Sequence, residues 1–199
     1  VAAWSATDDE LASGFYDWFV PPDGSLAVAL GTCDGLRVES ALSAGALQAS
    51  VRAHSEYSHD AATMISRANE TVWNSSAGGH LASLFYGKAT PGSGEIEYST
   101  AGTIRSMLVR KSDLEVIHED TPSLGSSLGQ TPDRIRHRLV DGDVLLMMSS
   151  SSKQPSRQLE IARQLRMHRD ATPDQLLQLV RSIDRQATLA LIVQCRQLQ

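Results

Sequence analysis

Asp17, Asp34 and Asp184 are carboxylates that fall inside or beside short motifs of this chain, and carboxylate oxygens are what a hard divalent cation needs. The motifs are Ser13-Gly14-Phe15-Tyr16-Asp17, Gly31-Thr32-Cys33-Asp34-Gly35, Met148-Ser149-Ser150-Ser151 and Arg185-Gln186-Ala187-Thr188-Leu189. The serine run 149–152 offers hydroxyls and backbone N–H groups to an anion, or sites for phosphorylation; the plainer reading is a polar loop after a strand. Arg157, Arg163, Arg166 and Arg169 either grip a phosphoprotein or acidic partner or form a solvated helix face. His54 and His59 flank a helix connection, and no histidine has metal-ligand spacing. Cys33 and Cys195 lack any C-x-x-C spacing and are expected as free thiols.

These groups must be positioned by elements that the hydrophobic pattern marks. Leu26-Ala27-Val28-Ala29-Leu30 is a continuous apolar run, as in a strand buried on both faces. Residues 40–55 place Ala41, Leu42, Ala46, Ala49 and Ala53 at helical spacing, a small-residue face suited to close packing. Residues 60–75 place Ala61, Ile65, Ala68 and Val72 on one stripe of a second helix. Residues 82–86, 95–98, 106–110 and 114–117 read as a β-meander, with turns at 90–94 and at Ser112-Asp113. Asp141-Gly142 turns the chain into a strand over 144–148. Thr172-Pro173-Asp174-Gln175 is a capping box with its proline, opening a helix that carries Leu176, Val180 and Ile183. Residues 188–195 close the chain as a buried strand. The pattern predicts an α+β protein with mostly antiparallel sheet.

With 199 residues, the chain suits one sizeable core rather than two. Its 41% hydrophobic and 21% charged residues are those of a soluble globular protein. No run approaches the length of a membrane helix, and no basic start followed by an apolar block marks a signal peptide. A cytoplasmic location is expected. The net charge of −5, with basic residues scattered outside 157–169, argues against nucleic acid as partner. Val1 in place of an initiator Met suggests an excision point from a longer protein.

In order and spacing, the four motifs resemble the metal motifs of the SpoIIE/RsbU-type branch of the PPM (protein phosphatase 2C-like) serine/threonine phosphatases. That family reads roughly G-G-D-F-Y-D, G-D-V-S-G-K-G, T-D-G-V-T-E and D-D-x-T-L. Leu84-Phe85-Tyr86-Gly87, Tyr98-Ser99-Thr100-Ala101-Gly102 and Val140-Asp141-Gly142-Asp143 resemble further segments of it. The resemblance covers about 180 residues. It implies an α-β-β-α sandwich, two antiparallel sheets face to face and flanked by helices, over a single domain 1–199. It also implies that the helices at 40–55 and 60–75 correspond to the family's regulatory pair.

In active members clustered aspartates hold two manganese or magnesium ions that activate a bridging water for attack on phosphoserine. Laid over the motifs without gaps, those aspartates fall here on Gly14, Thr32, Ser150 and Arg185, with Gln186 replacing the last motif's second aspartate. Gly102-Thr103 stands where the family has Gly-His. The resemblance therefore implies no catalytic residues, no metal cofactor and a pseudophosphatase that signals by binding protein. The expected partners are its own sensor domain, a regulator of the anti-sigma-factor-antagonist kind, or a second copy through helices 40–55 and 60–75, with Leu47 as the residue to disrupt. Two further readings remain. One is an active manganese- or magnesium-dependent phosphatase using Asp34, Asp17 and a displaced carboxylate such as Asp184; the other is a purely structural dimerisation module.

Overall fold

The computed structural model describes residues 1–5, 13–76, 79–110, 114–116, 121–150 and 154–196. Among these described residues ten strands form two five-stranded antiparallel sheets, and each sheet belongs to its own compact unit with two helices. Of the expected features, Ser112-Asp113, Ile117, Ser151 and Ser152 lie outside the described residues.

One unit orders its strands β2(Gly14–Phe19)-β3(Leu26–Cys33)-β4(Ala82–Ala89)-β5(Glu95–Ala101)-β8(Ile135–Arg138). Its helices are α1(Arg37–Ser55) and α2(Ala61–Ser76). The apolar run at 26–30 continues as β3 through the Gly31-Thr32-Cys33 motif, so that motif is the end of a strand. Side chains alternate along a strand, and Phe15, Ala27, Ala29, Leu84 and Tyr86 share the core that the helices cover. From α2, Ala61, Met64, Ile65, Ala68 and Val72 enter that core on the expected stripe. Each larger one contributes on the order of 1.5–3 kcal/mol on burial. Asp60 caps α2, its Oδ1 accepting the Thr63 N–H at 2.7 Å, and that bond is the main cause holding its carboxyl below the usual range.

For α1 the expected face is corrected. Ala44, Leu47 and Val51 are buried, whereas Leu42, Ala46, Ala49 and Ala53 face outward or stand at the margin. Leu47, at 1% exposure, is a core residue, so a charge there would test folding rather than an interface; Leu42, at 71%, is the place to probe a surface. An alanine-rich helix gives little contrast between its faces, and its larger residues divide: Leu47 and Val51 turn inward, Val38 and Leu42 outward.

The other unit orders its strands β1(Ala2–Ser5)-β10(Ala187–Gln194)-β9(Val144–Ser150)-β6(Arg105–Val109)-β7(Leu114–Val116). Its helices are α3(Pro155–Met167) and α4(Pro173–Ile183). Ile161, Ala162, Leu165, Leu176, Leu177 and Val180 pack on Met107, Val144, Leu146, Met148, Ala190 and Ile192. The capping box of α4 is formed: Thr172 Oγ1 accepts the Gln175 N–H at 3.4 Å, and Gln175 Oε1 accepts the Thr172 N–H at 2.9 Å. The expected meander divides, because β4 and β5 belong to one sheet and β6 and β7 to the other. At that crossing Gly102 has φ 79°, and a Cβ there would stand 2.2 Å from Ser83 Oγ, so only glycine fits. Strands β1 and β8 were not anticipated.

Lys88 donates to Asp23, which also accepts the Ser25 hydroxyl at 2.6 Å. The Lys88 bond, ahead of Ser25, lowers the Asp23 carboxyl to about 2. A carboxyl depressed in the folded state stabilises above its unfolded value and loses that contribution as pH falls through the folded one. In Lys88→Met, acid unfolding followed by circular dichroism should therefore begin at higher pH, the stability difference between the two proteins being full above about pH 4 and fading as pH falls toward about 2.

Candidate functional site

The first two motif stations are neighbours. Gly14 of β2 pairs with Thr32 of β3 in the antiparallel register, and directly opposed residues share one face of a sheet. Gly31, one step earlier, lies under the Phe15 ring: a Cβ there would stand 2.5 Å from Phe15 Cε1. This pair of stations supplies one neutral hydroxyl and no carboxylate. Thr103, where the resemblance puts histidine, hydrogen-bonds to Ser83 instead, its N–H donating to Ser83 Oγ at 3.0 Å.

Asp17 lies three residues beyond Gly14 on the same strand, hence on the opposite face. Its carboxylate, 8% exposed, accepts Arg52 Nε at 2.6 Å, Arg52 Nη2 at 2.5 Å and Gln48 Nε2 at 3.3 Å. The Arg52 guanidinium also lies 4.0 Å over the Phe19 ring. Asp17 thus ties β2 to α1 through a bidentate pair. Asp34 sits exposed after β3, its N–H donating to Leu81 O at 2.9 Å. It lines a cavity of about 510 Å³ with Gly35, Leu36, Glu39, Gly79, His80 and Leu81, where Glu39 is occupied by His80 at 3.0 Å.

The other two stations lie in the second unit. Ser150 continues the alternation of Val144, Leu146 and Met148, which places it on the helix-covered side of β9. Its hydroxyl donates to Asp184 Oδ2 at 2.7 Å. Asp184, 2% exposed, also accepts Arg157 Nη1 at 3.2 Å and the Gln186 N–H at 3.1 Å, both on Oδ1. A register shift between Ala187 and Leu189 bends β10 beside this cluster. Arg185 and Gln186 themselves are exposed in the turn before β10. Sequence reasoning proposed Asp184 as a displaced ligand but did not identify Arg157 as its partner. Arg157 accordingly leaves the expected arginine cluster, being a half-buried ion-pair partner rather than a free cation.

A divalent metal pair does not fit this donor set. Gly14 has no donor, Thr32 and Ser150 bring neutral oxygens, Arg185 repels cations, and the carboxylates of Asp17 and Asp184 are each bound by an arginine. Among the described residues, no group of three or more His, Cys, Asp or Glu could hold a metal ion. The remaining reactive groups are quiet. Burial, ahead of Asp34, pushes the Cys33 thiol up to about 11, and burial likewise raises Cys195, so neither is an activated thiolate. Burial, and then the charge of His59, pushes His54 down.

Among the described residues no helix is long and apolar enough to cross a membrane. The fold is that of solved PP2C-type phosphatases. The RsbU and RsbW domains of a Mycobacterium tuberculosis protein superpose with a TM-score of 0.82 at 20% identity, over 98% of this chain and 59% of that one. The S. agalactiae serine/threonine phosphatase gives 0.78 at 14% identity, over 98% of each chain. The PP2C phosphatase domain, with a fragment of the regulatory domain, of SpoIIE from Bacillus subtilis gives 0.78 at 14% identity, over 98% of this chain and 61% of that one. The chain thus spans about three fifths of the first and third of these. No curated protein sequence matches it. The family model for Stage II sporulation protein E (SpoIIE) matches residues 22–190, which takes in three of the four motifs. The chain therefore belongs to the SpoIIE family, with the PP2C-like fold and with no cluster of metal-holding side chains among its described residues.

Proposed function

We propose that this chain is a pseudophosphatase: a SpoIIE-type domain, 1–199, that signals from the cytoplasm by binding protein rather than by hydrolysing phosphoester. The observation that carries the reading is the state of Asp184. It is the carboxylate that hydrogen-bonds the Ser150 station, and its charge is already met by the Arg157 guanidinium. A metal there would have to displace a cation the chain supplies itself, and the residues at the other stations bring neutral oxygens or none. The domain then acts as the C-terminal output or adaptor module of a longer signalling protein. Its partners are its own sensor domain, a regulator of the anti-sigma-factor-antagonist kind, or a second copy. Solved relatives that carry further domains, such as the structure with RsbU and RsbW domains, support the modular part of this reading.

Turnover of a small phosphoester and of a phosphoserine peptide with millimolar manganese tests the catalytic part. The expected rate equals that of buffer with manganese alone. A rate above it that scales with protein concentration and is abolished by chelator would establish the active-phosphatase reading.

A further inference from the structure

We propose that the outward face of α3 is a docking surface for an acidic protein segment that carries carboxylates beside an apolar side chain. On this helix Leu159, Arg163, Arg166 and Met167 fall within an arc of about 100°, opposite the buried Ile161 and Leu165, and span about 12 Å along the axis. All four are exposed, and Leu159 and Met167 are so to 61% and 62%. Large apolar side chains at that exposure gain nothing from the chain's own core.

The two arginines are poorly neutralised. Arg163 is 66% exposed, with Glu160 no nearer than 4.0 Å, and that carboxylate accepts Gln164 Nε2 at 2.8 Å instead. No ion pair to Arg166 occurs among the described residues; its place in the last turn of α3 suits the helix dipole but leaves the guanidinium outward. Arg157, by contrast, is spent on Asp184, so the outward cations are a selected pair and not the whole run.

Charge and composition together name the occupant. The stretches that build this unit (residues 1–6, 105–119 and 139–199) hold eleven of the chain's 18 Lys and Arg and nine of its 23 Asp and Glu, a net of +2 against −7 for the rest. Arg and Met, without Lys, is the side-chain signature of a protein interface, and the guanidinium fork matches carboxylates two at a time. An anionic membrane fits less well. The face has no aromatic anchor, α3 already buries its main apolar stripe, and the whole chain carries −5. The surface stands whether or not the chain turns over phosphoesters, so this proposal and the pseudophosphatase reading can fail separately.

The test uses a fluorescently labelled helical peptide of Ala, Leu and Glu, with Glu at i and i+4 around one Leu, and its Lys-for-Glu counterpart, followed by anisotropy. The Glu peptide should bind, more weakly as salt rises. Arg163→Glu with Arg166→Glu should weaken it by about tenfold or more, and Leu159→Ser with Met167→Ser by severalfold. Arg67→Glu, on an exposed site of α2, should leave it unchanged. These are surface changes, and an unaltered melting curve verifies that each variant folds. Absence of binding by the Glu peptide overturns the proposal, as does equal binding to the charge-reversed protein or equal affinity for the Lys peptide. Preference for phosphatidylserine vesicles over the Glu peptide would also overturn it, in favour of a membrane surface.

Discussion

Arg157→Met is expected to destabilise the protein by about 2–3 kcal/mol, because it strips the cation from a carboxylate that stays buried. Asp184 would keep the Ser150 hydroxyl and the Gln186 N–H, which moderates the loss, and Arg157 is itself 27% exposed. For a chain of this size the thermal midpoint should fall by roughly 4–12 °C. Asp184→Asn in the same protein removes the unpaired charge and should recover much of that loss. A double-mutant cycle by chemical denaturation checks both statements: a coupling near zero would mean that Arg157 and Asp184 do not act as a pair.

Ser150→Asp introduces the carboxylate that the motif resemblance implies for this station and should be harmful here. Ser150 Oγ stands 2.7 Å from Asp184 Oδ2, so the new carboxylate replaces a donor with a like charge. At an effective dielectric of about 20, two like charges roughly 4 Å apart cost on the order of 4 kcal/mol, less where Arg157 and water screen them. The cost exists only while both carboxylates are ionised. The melting midpoint should therefore be depressed at neutral pH and approach that of the parent as acidification protonates one of the pair. Melts across pH 4–8 with and without manganese provide the check. An equal midpoint for the two proteins at pH 7 would contradict the geometry of this cluster, and a large manganese-dependent rise in Ser150→Asp would show that the site still accepts metal.

What the sequence made legible followed the strength of local signals. The apolar run of β3, the stripe of α2 and the Thr172–Gln175 box of α4 each carry their cause within a few residues, and each stands where expected. Strand β8 reads Ile135-Arg136-His137-Arg138, with a single apolar residue, and takes its conformation from pairing with β5. The face of α1 depended on Asp17, 35 residues from Arg52, and on which few large residues reached the core. At the candidate site the residue types Gly14, Thr32, Ser150 and Arg185 could be read directly from the sequence. The partners of the remaining carboxylates could not, since Arg157 meets Asp184 across 27 residues, beside a register shift that nothing local announces.

Calorimetric titration of manganese into the purified protein at neutral pH tests the central claim most directly. Without carboxylates at Gly14, Thr32, Ser150 and Arg185, and with Asp17 and Asp184 held by arginines, heats should not exceed those of dilution and weak surface binding. A saturable two-site isotherm with micromolar or tighter affinity would contradict the account.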